Sequence, residues 1–299
     1  MQAMLLARAG VGRITLIDRD YVERSNLQRQ ILFDEADADA SLPKAIAAER
    51  RLKQINSEIE IRALVEDLDA RNVAELLGGA DVILDATDNF ETRYLMNDWA
   101  VREGVPWIYG AAVGSYGITL PVLPDRGACF RCIYPAPPAG DQPTCETAGV
   151  LNPATSVVGA WQAAAAMKVL SGHAAELELR IVTLDVWTGA LRQTLQPARD
   201  PGCPCCGARE FEYLERNRRA PVSLCGRNAV QIHDRARPLD LAQLGAKLGP
   251  LGVVRQNDFA LRFERAPYEI TVFPDGRAII KGTTDVALAR SLYSRYIGN

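Results

Sequence analysis

The chain has 299 residues, 34 Lys and Arg against 37 Asp and Glu for a formal charge of −3, and 48% hydrophobic residues. Near-neutral charge excludes a nucleic-acid or membrane-surface binder that works by bulk positive charge, and the apolar content excludes disorder as the main state. The length suits about two domains. No apolar run reaches the roughly 20 residues of a membrane helix, and residues 1–9 lack the basic start and cleavage site of a signal peptide, so a soluble, cytoplasmic protein is expected.

Residues 1–9 read as a helix closed by Gly10 and Gly12, leading into an apolar strand at 14–18. Residues 44–56 carry Ala45, Ala48, Leu52 and Ile55 at helical spacing; a strand at 59–64 and a short helix at 73–77 follow. Then come a strand at 81–86, a helix at 90–103 and a strand at 105–113. This alternation predicts an α/β fold, a doubly wound, mostly parallel sheet with helices on both faces. Such a domain ordinarily carries a further strand and a Gly-rich turn ahead of its first helix, yet no GxGxxG precedes the Asp18 strand. Two readings follow: a sequence begun downstream of that segment, favoured by the intact residues after it, or a degenerate relative without nucleotide.

Residues 114–124 read as extended, Gly-interrupted chain turning back at the sheet edge, and 135–143 as a Pro-rich loop. A long Ala-rich helix runs from Pro153 to Gly172, and a hairpin pairs 177–185 with 190–195. The charged run 210–219 reads as a linker. Beyond it a small α+β module is expected: strands at 222–232 and near Val253, Leu261 and Ile270, a turn at 274–276, a strand at 277–281, and helices at 239–248 and 284–296. The domains are set at 1–215 and 220–299.

Seven cysteines, four of them in two C-x2-C pairs, fit a reducing compartment better than a disulfide scaffold. Cys129 with Cys132 and Cys203 with Cys206 offer four thiolates to a tetrahedral structural Zn²⁺. Ordinary thiols or a redox pair are the alternative, set aside because neither pair follows a strand and opens a helix. Cys205 adds ambiguity, and spacing favours Cys203 and Cys206. Cys145, on a loop, is either an exposed reactive thiol or an inert one, and Cys225 reads as a buried strand residue.

Other residues suit phosphate and Mg²⁺. Asp18 ends a strand, where an acid can hold a ribose. Asn26 and Arg29 in the run SNLQRQ suit polyphosphate, and Lys44 after Pro43 puts a cation at a helix start. Asp88 and Asn89 follow another strand, where a carboxylate can hold Mg²⁺. Taken singly, each is as well explained as a helix cap or a solvated charge; together they converge on the carboxyl ends of successive strands.

In order, IDRD at 17–20, SNLQRQ at 25–30, Pro43-Lys44, ATDNF at 86–90, Tyr109-Gly110, both cysteine pairs and CETAGV at 145–150 resemble the HesA/MoeB/ThiF family, bacterial relatives of ubiquitin-activating enzymes. The resemblance spans residues 1–207. It implies an adenylyltransferase that uses ATP and Mg²⁺ on the C-terminal glycine of a ubiquitin-like sulfur-carrier protein ending in Gly-Gly, of ThiS or MoaD type. It also implies a homodimer, one Zn²⁺ per subunit, and a sulfur donor such as a cysteine desulfurase or rhodanese. By that likeness Asp18 binds ribose, Asn26, Arg29 and Lys44 grip the triphosphate, Asp88 holds Mg²⁺ beside Asn89, and Cys145 matches the loop cysteine that in some members forms a sulfur link to the carrier. The family's Gly-rich loop and an N-terminal arginine would fall before Met1. The rival readings are an impaired member or scaffold lacking the phosphate loop, and an NAD- or FAD-dependent oxidoreductase.

Overall fold

The computed structural model describes residues 1–124, 126–138, 148–215, 222–224, 228–232 and 238–298. It divides into two compact units, Met1–Asn217 and Arg218–Asn299.

In the first unit, α1 (Gln2–Arg8) leads to β1 (Arg13–Ile17), then α2 (Glu35–Asp39), α3 (Lys44–Ile55), β2 (Glu60–Leu64), α4 (Val73–Leu77) and β3 (Ile83–Leu84). They are followed by α5 (Phe90–Glu103), β4 (Trp107–Val113), β5 (Tyr116–Val122), α6 (Phe130–Ile133), α7 (Asn152–Leu170), β6 (Arg180–Asp185), β7 (Ala190–Leu195) and α8 (Glu212–Glu215). β1 and β2 pair in parallel as a two-stranded sheet. The other sheet runs β3-β4-β5-β6-β7, parallel between β3 and β4 and antiparallel from β4 onward. The expected α/β architecture is therefore mixed, with its parallel pairings where helices connect the strands. The change of sense has a plain cause: β4 and β5 are joined by Gly114 and Ser115 alone, too short a link for a parallel crossover. Gly114 takes φ 59°, a left-handed conformation that glycine adopts without a steric penalty.

Pleating sends alternate residues of β4 to opposite faces. Trp107 and Tyr109 join a core with Tyr94, Leu95 and Trp99 of α5, Leu120 and Val122 of β5, and Phe130 of α6. Gly110 faces α7 instead. There the Gln162 amide donates to the carbonyls of Asp85 at 2.8 Å and Ile108 at 2.9 Å, while its oxygen accepts from Gln2. α5 is buried from Arg93 to Val101, which explains its lack of an amphipathic pattern.

The charged run expected as a linker is in part packed structure. Tyr213 of α8 is buried and stacks on Tyr94, ring centres 4.9 Å apart. Cys129 likewise differs from expectation, since it precedes the one-turn helix α6.

The second unit holds β8 (Val222–Leu224), β9 (Ala229–Ile232), α9 (Leu241–Leu248), β10 (Val253–Gln256), β11 (Leu261–Arg265), β12 (Tyr268–Val272), β13 (Ala278–Lys281) and α10 (Val286–Tyr296). Its antiparallel sheet has the order β10-β11-β12-β13-β9-β8. The strand expected over 222–232 is two strands paired as a hairpin. Among the described residues, no helix is long and apolar enough to cross a membrane.

A Cβ added at Gly110 would lie 2.4 Å from the Gln162 amide, which its two carbonyl partners hold in place. Gly110→Ala is expected to cost about 1–3 kcal/mol of stability, read as a lower urea midpoint. An unchanged midpoint would mean that Gln162 yields without loss.

Candidate functional site

The predicted site residues fall into three groups at strand ends and turns, together with one cysteine cluster. At the end of β1, Asp18 extends the ladder by donating its backbone N–H to Leu64 at 3.1 Å, and its Oδ1 accepts the Asp20 N–H at 2.8 Å. Lys44 opens α3, donates its backbone N–H to Asp20 at 2.8 Å, and brings Nζ within 3.4 Å of Asp20 Oδ2. Its side chain is only 10% exposed. A nearly buried ammonium at the start of a twelve-residue helix thus sits where the helix dipole also favours an anion.

Asn26 and Arg29 share an adjoining turn. Asn26 is buried, and its Oδ1 accepts the Glu23 N–H at 3.3 Å. Arg29 donates Nη1 to the Ser25 carbonyl at 2.9 Å.

After β3, Asp85 organises the turn that carries Asp88. Its Oδ1 accepts from Thr87 N at 2.8 Å and Thr87 Oγ1 at 2.7 Å, and its Oδ2 from Arg93 Nε at 3.0 Å. Arg93 also donates Nη2 to the Thr87 carbonyl at 2.5 Å, with its guanidinium over the rings of Tyr109 and Phe90. Burial works against the Arg93 charge, but Asp85, Tyr109 and Asp88 together outweigh it, and the pKa is raised above its ordinary value. Asn89 is the N-cap of α5, its Oδ1 accepting the Thr92 N–H at 2.8 Å. Sequence reasoning missed Arg93 and the anchoring role of Asp85. The signal was an acid at a strand end followed eight residues later by an arginine on a helix.

The Sγ atoms of Cys129, Cys132, Cys203 and Cys206 lie within 4.8 Å of one another. Sulfurs are 3.8 Å apart for Cys129–Cys132, 3.7 Å for Cys129–Cys203 and 3.4 Å for Cys132–Cys206. Four thiolates about 2.3 Å from a tetrahedral Zn²⁺ stand about 3.8 Å apart, so the cluster has the donor set and size for that ion. Gly207 closes the second knuckle by donating its N–H to Cys203 at 2.9 Å, and a Cβ there would lie 2.2 Å from the Pro201 carbonyl. The five described cysteines are free of disulfides. Hydrogen bonding from Cys205, against the effect of burial, pulls the Cys129 thiol down to about 4, and Cys205 is correspondingly pushed up. Cys145 and Cys225 lie outside the described residues.

The ThiF family profile matches residues 1–205. The chain belongs to the ThiF family. Among its relatives, a sulfur carrier protein ThiS adenylyltransferase of Bacillus subtilis is 43% identical over 300 residues, covering 99% of this chain and 88% of that protein. A SAMP-activating enzyme E1 of Haloferax volcanii is 38% identical over 211 residues, 70% of this chain and 77% of that one. In fold, the chain is similar to Escherichia coli MccB in its crystal structure with MccA-N7isoASN, with a TM-score of 0.60 at 23% identity. That match covers 69% of this chain and 62% of MccB. The ThiF-type region thus contains Asp18, Lys44 and Asp88 and the first three cysteines of the cluster, and ends just short of Cys206.

Removing Asp85 would leave the Arg93 charge buried and unpaired. Asp85→Ala is therefore expected to destabilise the protein by about 3–5 kcal/mol in chemical denaturation. Combined with Arg93→Leu it should cost clearly less than the two single losses added together; simple additivity would show that the pair is not coupled.

Proposed function

We propose that this chain is an adenylyltransferase that uses ATP to activate the C-terminal glycine carboxylate of a ubiquitin-like sulfur-carrier protein ending in Gly-Gly. The observation that carries the reading is the 43% identity, along 99% of the chain, to a sulfur carrier protein ThiS adenylyltransferase. The three groups of polar and charged residues support it, because the reaction sets one anion against another. A carboxylate oxygen of the carrier attacks the α-phosphorus of ATP, a P–O bond forms, and the bond to the departing pyrophosphate breaks.

Arg29 and Lys44 would bind the phosphate oxygens and offset charge that grows as pyrophosphate leaves, with Asn26 donating beside them. Asp18 would accept from a ribose hydroxyl. Asp88 would hold Mg²⁺, whose contribution when bound is to neutralise phosphate charge. Asn89, with its Oδ1 committed to the helix cap, retains its amide N–H groups for the nucleotide. Holding the two reactants in line accounts for much of the remaining acceleration. Zn²⁺ in the cysteine cluster would be structural, since four thiolates leave no position open for a substrate.

A thiol or persulfide sulfur can attack the acyl-adenylate carbonyl, forming a C–S bond as the C–O bond to AMP breaks and AMP leaves; we assign that step to Cys145, with persulfide sulfur delivered by a cysteine desulfurase or rhodanese. The free cysteines among the described residues support a reducing, cytoplasmic setting, and the edge strand β7, exposed at each of its residues, supports a homodimer.

Carrier-dependent exchange of pyrophosphate into ATP tests the reading. Asp88→Ala should lower exchange by about 100-fold or more. Wild-type exchange in that variant would remove Asp88 from the mechanism. Cys145→Ala should leave exchange intact while blocking sulfur transfer, and a loss of exchange as deep as that of Asp88→Ala would contradict the division of roles.

A further inference from the structure

Three residues beyond the four clustered cysteines, Asn97, Asp98 and Cys205, bear on the metal centre, and the proposed reaction uses none of them. Asn97, fully buried on α5, lies between the two cysteine knuckles. Its Oδ1 accepts the backbone N–H of Phe130, the residue after Cys129, at 2.9 Å. Its Nδ2 donates to Sγ of Cys205, the residue before Cys206, at 3.2 Å. The adjacent Asp98, also fully buried, accepts the backbone N–H of Tyr213 at 2.9 Å and so fixes the chain that leaves the second knuckle. Thus one helix holds two loops that lie far apart in sequence, by groups with no access to water.

We propose that Asn97 is a positioning residue for the metal centre: it grips one knuckle through the Phe130 amide and the other through the Cys205 sulfur, which is an anchor and not a ligand. The inference rests on the reading that the cluster holds zinc.

Two physical arguments support it. First, gathering four thiolates sets like charges against one another, and a scaffold that holds both loops in place removes part of the ordering cost before the ion arrives. A buried amide suits this task because it offers a donor and an acceptor and is penalised if either stays unpaired. Second, Cys205 is buried yet stands outside the group of four sulfurs, which pair closely without it. Its sulfur instead accepts from Asn97 Nδ2 at 3.2 Å, which ties the second knuckle to α5 in the manner of outer partners at metal sites.

The test uses the whole zinc-loaded chain. Metal analysis of the wild type comes first: no bound zinc would overturn the metal reading itself, separately from the role of Asn97. Zinc release is then timed with excess 4-(2-pyridylazo)resorcinol, below the unfolding temperature of each variant. Asn97→Leu and Cys205→Ala should release zinc about 10- to 100-fold faster than wild type. Cys205→Ser, which keeps an acceptor for Asn97 and a donor hydroxyl, should stay closer to wild type. After Co²⁺ substitution, Cys205→Ala should keep the thiolate-to-cobalt absorption of four sulfurs, whereas Cys206→Ala should show three. Release from both Asn97→Leu and Cys205→Ala within about twofold of wild type would overturn the proposal. So would a three-sulfur cobalt spectrum in Cys205→Ala. If Asn97→Leu does not fold, the contrast between Cys205→Ala and Cys205→Ser decides the matter.

Discussion

A carboxylate and a guanidinium with almost no access to water meet where β3 ends, and the first unit is arranged around that contact. The Asp85 side chain is 0% exposed and that of Arg93 7%. Burying two charges costs several kcal/mol per ion, and only good geometry with further hydrogen bonds offsets it. Here Asp85 Oδ1 and Arg93 Nη2 both bond to Thr87, so the same groups that settle the charge also shape the turn carrying Asp88. The pair joins β3, the turn and α5, and the Arg93 guanidinium lies over Tyr109 of β4.

The same helix links the turn carrying Asp88 to the cysteines. Phe90 and Arg93 stand near its start, and Asn97 and Asp98 one turn further on. Between them is a set of rings: Phe90, Tyr94, Tyr109, Phe130 and Tyr134, with centres 4.9–6.5 Å apart. Each such pair contributes about 0.5–1.5 kcal/mol beyond its area. The Tyr94 hydroxyl donates to the Tyr134 carbonyl at 2.7 Å, and its pKa is pushed up to about 12 by burial, with Tyr213 adding. Phe130 lies between two of the clustered cysteines, so the cysteine side and the Asp88 side share one apolar body.

What could be read from the sequence follows from how local each signal is. Strands β1 and β4, the Ala-rich α7 and the two C-x2-C pairs rest on periodicity, capping and spacing, which a single segment displays. The convergence of Cys129 and Cys132 with Cys203 and Cys206 was legible because few other arrangements give four thiolates. Arg93, Asn97 and Asp98 were not, since α5 is buried on all sides and its polar residues find partners elsewhere in the chain. Tyr213 was lost in a run of charges, where its stacking on Tyr94 has no local signature. The antiparallel continuation beyond β4 depended on whether Gly114 and Ser115 make a tight turn, and turn chemistry of this kind is weak evidence from two residues. Asp18, Asn26, Arg29, Lys44 and Asp88 could be named individually, but their partners, such as Asp20 for Lys44, emerge only in three dimensions.

Gln162 gives α7 a property that its alanines lack. A smooth, small-residue face would fit the sheet almost equally well after sliding by a residue or a turn. An amide that saturates the carbonyls of both Asp85 and Ile108 makes every shifted alignment forfeit two bonds at once. The helix is keyed to a single notch, and a protein that must present a reacting tail to a phosphate gains a backstop that does not creep.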